Sequence, residues 1–231
     1  MGSFIDITTP DGTFQAYIAR PAVEPAPVVV VIQEIFGIND DLKATCHEMA
    51  EKGYIAVSPD LFWRIEPGVS LSHWSPEEWA KGFALYNAFD FDQGVADIVT
   101  TIDTVRHLTG ATGKVGVMGY CLGGLMTFLA AARGDVDAAA SYYGGGTDQH
   151  VGEAPKVTAP MVIHLGTQDE YISPEAQATI REGVAGNAKI EAFSYEGCAH
   201  AFARHGGERY DAAAATLANE RTLALFEANL R

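Results

Sequence analysis

Residues 114–132 read KVGVMGYCLGGLMTFLAAA. A short β-rich run, Val115 to Met118, meets Gly119-Tyr120-Cys121-Leu122-Gly123-Gly124, and an apolar helical pattern begins at once. That is the pattern of a strand, a sharp turn and a helix. A nucleophile at the apex of such a turn sits in a strained conformation, with strand and helix backbones passing close by, so its neighbours must be nearly free of side chains. Gly119 and Gly123, two residues either side of Cys121, suit that geometry. A glycine-rich turn around a buried, inert cysteine would look the same locally. The remainder of the chain has to discriminate.

The flanking segments alternate strand and helix. Val28-Val29-Val30-Val31-Ile32 is a continuous β-branched run without polar alternation, as expected of a strand covered on both faces. Asn39 or Asp40 can cap a helix reaching about Lys52, and Tyr54 to Ser58 reads as the next strand. Pro59 to Ser75 is a long irregular loop carrying Trp63, Arg64, His73 and Trp74. Ser75-Pro76 opens a helix through about Phe89, and Asp90 caps another through about Leu108. Downstream, Ala138 to Tyr143, Met161 to Leu165 and Lys189 to Tyr195 read as strands, with helices over Pro174 to Val184 and from about Asp211 to Leu230. Phe4 to Thr8 and Thr13 to Ala19 form an opening hairpin around Pro10-Asp11-Gly12. The expectation is a single α/β domain over residues 1–231. It has a mostly parallel central sheet, helices on both faces and an N-terminal antiparallel hairpin, with the loop at 59–75 and its helix as a small cap. Ligands of such sheets bind beyond the carboxyl ends of the strands.

Fifteen basic and 30 acidic residues give a formal charge of -15, which repels phosphate backbones and anionic bilayers. Neither nucleic acid nor a membrane is an expected partner. A small anionic substrate would need a locally placed Arg or Lys. Cys46, Cys121 and Cys198 show no C-x-x-C spacing, so free thiols in a reducing compartment are expected. The N-terminus lacks a basic start followed by an apolar run, and Met118 to Ala132 is shorter than the ~18 apolar residues of a membrane span. A cytoplasmic monomer is the expectation.

Glu34, Cys121, Asp169 and His200 each follow a strand, so all four should open onto one rim of the sheet. Nucleophile, acid, histidine is the chain order of α/β-hydrolases. Cys121 would attack as the thiolate, His200 would act as its base, and Asp169 would hold the imidazole and favour the imidazolium. The backbone N–H groups of Leu122 and Ile35 would receive the oxyanion. A carboxylate beside a sulfur nucleophile disfavours the thiolate, so Glu34 either stays neutral, turns away or exchanges a proton with Cys121.

With these residues assembled, the chain resembles the dienelactone hydrolase, or carboxymethylenebutenolidase, family over nearly its whole length. The matching segments are Gln33-Glu34-Ile35-Phe36-Gly37, Ala88-Phe89-Asp90 with Gly94-Val95-Ala96-Asp97, Gly119-Tyr120-Cys121-Leu122-Gly123-Gly124, Tyr142-Tyr143-Gly144 and His200-Ala201-Phe202-Ala203-Arg204. Cysteine where most α/β-hydrolases carry serine is the most specific. The resemblance implies opening of the enol-lactone ring of 4-carboxymethylenebut-2-en-4-olide to maleylacetate, in catechol and chlorocatechol breakdown, with no metal or cofactor. It implies Cys121, Asp169 and His200 as the triad and Glu34 as a carboxylate that takes the thiol proton when an anionic substrate arrives. Arg204 would bind the substrate carboxylate, and Tyr86, Tyr142 and Phe36 would lie at the pocket.

One position departs from the family pattern. A second carboxylate-binding arginine of the family aligns with Trp79, and Lys81, two residues later, is the candidate replacement. That departure keeps a broader carboxylesterase or lactonase open as the alternative. From another class comes a non-catalytic scaffold whose Cys121 responds to oxidation; Cys198, close to His200 in sequence, could also be oxidation-prone.

Overall fold

The structure, a computed structural model, describes residues 2–231. The chain divides into two compact units, one ending at Gly116 and one running from Val117 to Arg231.

The first unit opens with the hairpin β1 (Ser3–Thr9) and β2 (Gly12–Ala19), paired antiparallel from Thr9 opposite Gly12 to Ser3 opposite Ile18. Strand β3 (Ala26–Ile32) is buried at every position and runs parallel to β4 (Ile55–Pro59), which pairs antiparallel with β2. The unbroken Val/Ile run thus marks a strand covered on both faces. Helix α1 (Asp40–Glu51) is capped by Asn39, whose Oδ1 accepts the N–H of Leu42 at 3.0 Å. Helix α2 (Pro76–Ala88) starts at a Ser75 cap with Pro76 in its first turn, and α3 (Phe91–Arg106) at an Asp90 cap. Each cap satisfies an amide that the helix cannot.

The loop from 60 to 75 is tied down. Asp60 accepts from the N–H groups of Phe62 and Gly68, and Leu71 N–H donates to Phe36 O at 2.8 Å. Buried Asp97 on α3 receives Trp63 Nε1 at 2.8 Å and both Nε and a terminal nitrogen of Arg64 at 3.1 and 2.9 Å. Arg64 also reaches Asp11 in the hairpin turn. Asp97 is the buried member of the pair and Arg64 the partly exposed one. Trp63 and Arg64 therefore hold the beginning of this loop to α3.

Strand β5 (Ala111–Tyr120) carries the chain across the boundary into the second unit. There, α4 (Leu122–Arg133), β6 (Ala138–Tyr142), β7 (Met161–Gly166), α5 (Pro174–Val184), β8 (Ile190–Tyr195) and α6 (Ala212–Leu230) follow, with β6, β7 and β8 parallel in that order. A 3-10 segment, Thr147–Lys156, fills the connection from β6 to β7, where no element was expected. Helix α4 is buried from Leu122 to Ala132, which explains its uninterrupted apolar sequence.

The small residues of β6 and the glycines around it let α4 approach closely. A Cβ on Gly124 would stand 2.4 Å from Tyr142 O, and one on Gly144 would stand 2.5 Å from Leu125 N. Ser141 Oγ donates to Gly124 O at 2.8 Å in the same contact. Gly124→Ala is therefore expected to destabilise the protein by about 1–3 kcal/mol, the cost of overpacking against backbone that cannot yield. Urea unfolding would show it as a lower midpoint with an unchanged slope.

Helix α6 is joined to the strands by a buried polar chain. Tyr142 Oη contacts Thr222 Oγ1 at 2.7 Å, Thr222 contacts His164 Nε2 at 3.0 Å, and His164 Nδ1 meets Tyr195 Oη at 2.8 Å. Burial, with the nearby charge of Arg221, pushes His164 down to about 3, so it sits in this chain as a neutral imidazole.

Candidate active site

Every member of the expected triad belongs to the second unit. Strand β5 ends at Tyr120, and Cys121 adopts φ 55 and ψ -116 before α4 begins at Leu122. A non-glycine residue there is strained by about 1–3 kcal/mol and persists only where its surroundings over-determine it. Two sets of hydrogen bonds do so. Cys121 N–H donates to Tyr142 O at 3.0 Å, and Cys121 O accepts from Gly124 and Leu125 at 2.9 and 3.3 Å. The turn leaves the Cys121 side chain partly exposed, whereas Cys46 and Cys198 are buried. Leu122 and Gly123 open α4, where amides have no intrahelical acceptor and the helix dipole favours negative charge.

Asp169 and His200 are brought together by two loops zipped to each other. Gln168 N–H donates to Cys198 O at 2.9 Å, Gly197 N–H to Thr167 Oγ1 at 2.9 Å, and Thr167 N–H to Tyr195 O at 3.0 Å. A Cβ on Gly166 would lie 2.4 Å from Cys198 O, so only glycine fits at the end of β7. Asp169 Oδ1 accepts from the amides of Tyr171 and Ile172 at 2.8 and 3.1 Å, which turns Oδ2 toward His200 Nδ1 at 2.8 Å. With Nδ1 occupied, Nε2 is the ring atom left for the sulfur.

The electrostatics of His200 join the three. Burial alone would lower its pKa, but the charge and hydrogen bond of Cys121, with the Asp169 carboxylate, more than offset it and raise it to about 10. An imidazolium is the state of His200 that this arrangement favours. Burial also raises the pKa of both other thiols, Cys46 to about 12, with Asp211 and Glu196 adding to the effect at Cys198. Cys198 is thus a buried, protonated thiol, contrary to the expectation of an oxidation-prone one.

Of the other expected residues, Arg204 is half-buried on the turn after His200, its N–H bonded to Ala201 O at 3.0 Å, and its charge acts on the Tyr171 hydroxyl. Tyr142 is a correction. It is fully buried, and its hydroxyl is bonded to Asn219 and Thr222 on α6, so it lies in the core and not at a pocket. Its neighbour Tyr143 is the one whose ring packs on His200, centroids 5.1 Å apart. Tyr171 and Glu170, which also meet His200, had no signal of their own beyond adjacency to Asp169.

In the first unit, Glu34 and Ile35 follow β3, where the side chain of Gln33 bonds to Glu34 O and to Leu61 N. Glu34 is half-buried, and Phe36 is buried edge-on to Trp79 at 4.8 Å. Trp79 Nε1 donates to His73 O at 2.8 Å, while Lys81 Nζ pairs with Glu66 at 2.6 Å on an exposed surface. Tyr86 packs its ring on Phe91. Among the described residues no group of three or more His, Cys, Asp or Glu could hold a metal ion, and no helix is long and apolar enough to cross a membrane.

Residues 14–230 match the family model described as "Dienelactone hydrolase family". The chain belongs to the dienelactone hydrolase family. It is 41% identical over 220 residues to a carboxymethylenebutenolidase of Pseudomonas putida, covering 95% of this chain and 93% of that one. It is 38% identical over 223 residues to carboxymethylenebutenolidase 1 of Cupriavidus pinatubonensis, covering 96% and 95%. A crystal structure from Klebsiella pneumoniae superimposes with a TM-score of 0.84 at 27% identity over 98% of both chains. As a member of the dienelactone hydrolase family, the chain has the α/β-hydrolase fold, its mostly parallel strands preceded by the antiparallel β1–β2 hairpin. It is a hydrolase of lactone or ester bonds.

Proposed function

We propose that this protein opens the enol-lactone ring of 4-carboxymethylenebut-2-en-4-olide to maleylacetate through an acyl-enzyme on Cys121. The observation that carries the reading is the Asp169–His200 contact of 2.8 Å on a histidine that also answers to Cys121. The relatives named carboxymethylenebutenolidase supply the substrate class. The Cys121 thiolate adds to the lactone carbonyl, and the oxyanion is received at the Leu122 amide where α4 begins, with Ile35 N–H as the second donor. Collapse breaks the ring C–O bond. The departing enol oxygen takes a proton from His200, and the enol tautomerises to the ketone. His200 then takes a proton from water, whose oxygen attacks the thioester, releasing the carboxylate and restoring the thiolate. Glu34 is assigned the part of a carboxylate that takes the thiol proton when an anionic substrate binds and returns it to the sulfur when the product leaves. The place of this reaction is the breakdown of catechols and chlorocatechols.

Arg204 is assigned the substrate carboxylate. Losing a hydrogen bond to a charged group costs about 1.5–3 kcal/mol, so Arg204→Ala is expected to lower kcat/KM on the dienelactone by roughly 10- to 100-fold. The effect on a neutral aryl ester should be much smaller. Loss of dienelactone absorbance, run beside the aryl ester, measures both. A second reading, a broader carboxylesterase or lactonase, is favoured by Trp79 and by the pairing of Lys81 with Glu66. A better rate on the aryl ester, with Arg204→Ala changing little, would select that second reading.

A further inference from the structure

Asp169, Glu170 and Tyr171 are consecutive, and each grips His200 at a different place. Asp169 holds ring Nδ1. Glu170 Oε2 accepts the backbone N–H of His200 at 3.3 Å, and its other oxygen pairs with Arg209. The Tyr171 ring stands edge to face with the imidazole, centroids 4.8 Å apart and planes at 75°. Tyr143 makes a similar contact at 5.1 Å and 63°. His200 is only 3% exposed, although Tyr171 is 49% exposed. Tyr143 and Ala201, which adjoin this ring in space and in sequence, are both held at positive φ, 38° and 59°. Strain of that kind survives where neighbouring contacts fix the backbone.

Resting on the reading of Cys121, Asp169 and His200 as the triad, we propose that Glu170 and Tyr171 are positioning residues for the base. Glu170, steadied by Arg209, fixes the backbone from which His200 projects. Tyr171 fixes the plane of the imidazole and covers it, so that Nε2 meets the Cys121 sulfur. Burial first, then the charges of Cys121 and Asp169, raise the pKa of the Tyr171 hydroxyl, and Arg204 opposes them. A neutral phenol is therefore the brace, and it does not compete with His200 for a proton. The groups that face His200 are Cys121, Asp169, Tyr143 and Tyr171, with Glu170 and Arg209 behind its amide.

A misplacement of about 1 Å in a reacting group can cost roughly 100-fold. Tyr171→Ala is expected to lower kcat by roughly 10- to 100-fold with KM within about threefold, and Tyr171→Phe to restore most of it, because the ring does the bracing. Glu170→Ala should also lower kcat, and Glu170→Gln, whose amide oxygen still accepts the His200 N–H, should recover it. The pH profile of Cys121 alkylation by iodoacetamide, which reads the sulfur–imidazole pair, should move by about 0.5 unit or more in Tyr171→Ala. A purely structural role would not move that profile. Thermal unfolding identifies any variant that fails to fold, and Tyr171→Leu and the exposed Glu170 pair are the substitutes if Tyr171→Ala does. Parent-like kcat and alkylation in Tyr171→Ala would overturn the proposal, as would equal impairment of Tyr171→Phe, which would make the hydroxyl the acting group. His200→Ala separates the two failures. If it leaves turnover and alkylation unchanged, the triad reading has failed as well; if it abolishes both while Tyr171→Ala matches the parent, only the bracing has.

Discussion

Asp169→Asn is expected to lower kcat/KM by on the order of 10⁴-fold while leaving the fold intact. The reason lies in which carboxylate oxygen faces which partner. Oδ1 receives two backbone amides, from Tyr171 and Ile172, so in the variant the side-chain carbonyl oxygen must stay there. The NH2 group then faces His200 Nδ1, where Oδ2 now lies 2.8 Å away. Two donors cannot share that contact. Nδ1 becomes the acceptor, its proton moves to Nε2, and the ring presents a donor to the sulfur where a base is required. The Asp169 contribution that helps raise His200 to about 10 is lost in the same step. Steady-state kinetics on the dienelactone with a parallel thermal melt check the prediction: a large loss of kcat/KM and a small change in Tm. An activity within tenfold of the parent would mean that His200 is not the base.

Cys121→Ser should also fold and lose most of its activity, by on the order of 10²- to 10⁴-fold in kcat/KM. The backbone conformation at φ 55 is imposed by the bonds of Cys121 N–H to Tyr142 and of Gly124 and Leu125 to Cys121 O, none of which uses the side chain. A serine can therefore occupy the same turn. What it cannot do is ionise as a thiol does: cysteine has an ordinary pKa near 8.5, and the facing imidazole can stabilise a thiolate beside it. An alkoxide is much harder to generate with the same base. Rates on the dienelactone, with parent and variant melts superimposed, check this. Full activity in the serine variant would contradict a thiolate mechanism.

How far the sequence could be read follows the range of the interactions involved. The elbow was legible because its turn is local, glycines and cysteine within six residues, and because strand ends set the order of Cys121, Asp169 and His200. The caps at Asn39, Ser75 and Asp90 were legible for the same reason. The pocket tyrosine was not. Tyr142 ends β6 and Tyr143 leaves it at φ 38°, so one ring meets α6 and the other His200, and nothing in the pair says which. Close packing was also out of reach. A Cβ on Gly124 would strike Tyr142 O, a contact set by β6 packing on α4. The loop after β4 read as a small cap, and its anchor was out of reach because Asp97, the buried carboxylate that receives Trp63 and Arg64, lies more than 30 residues further along the chain.

The most direct test of a cysteine acyl-enzyme is intact-protein mass spectrometry of the parent protein quenched in acid within milliseconds of mixing with the dienelactone, followed by peptide mapping. Attack on a lactone expels no separate leaving group, so the expected adduct has the full mass of the substrate and maps to the peptide containing Cys121. The adduct should disappear in Cys121→Ser. Turnover without a covalent adduct on Cys121, or an adduct on any other residue, would contradict the account.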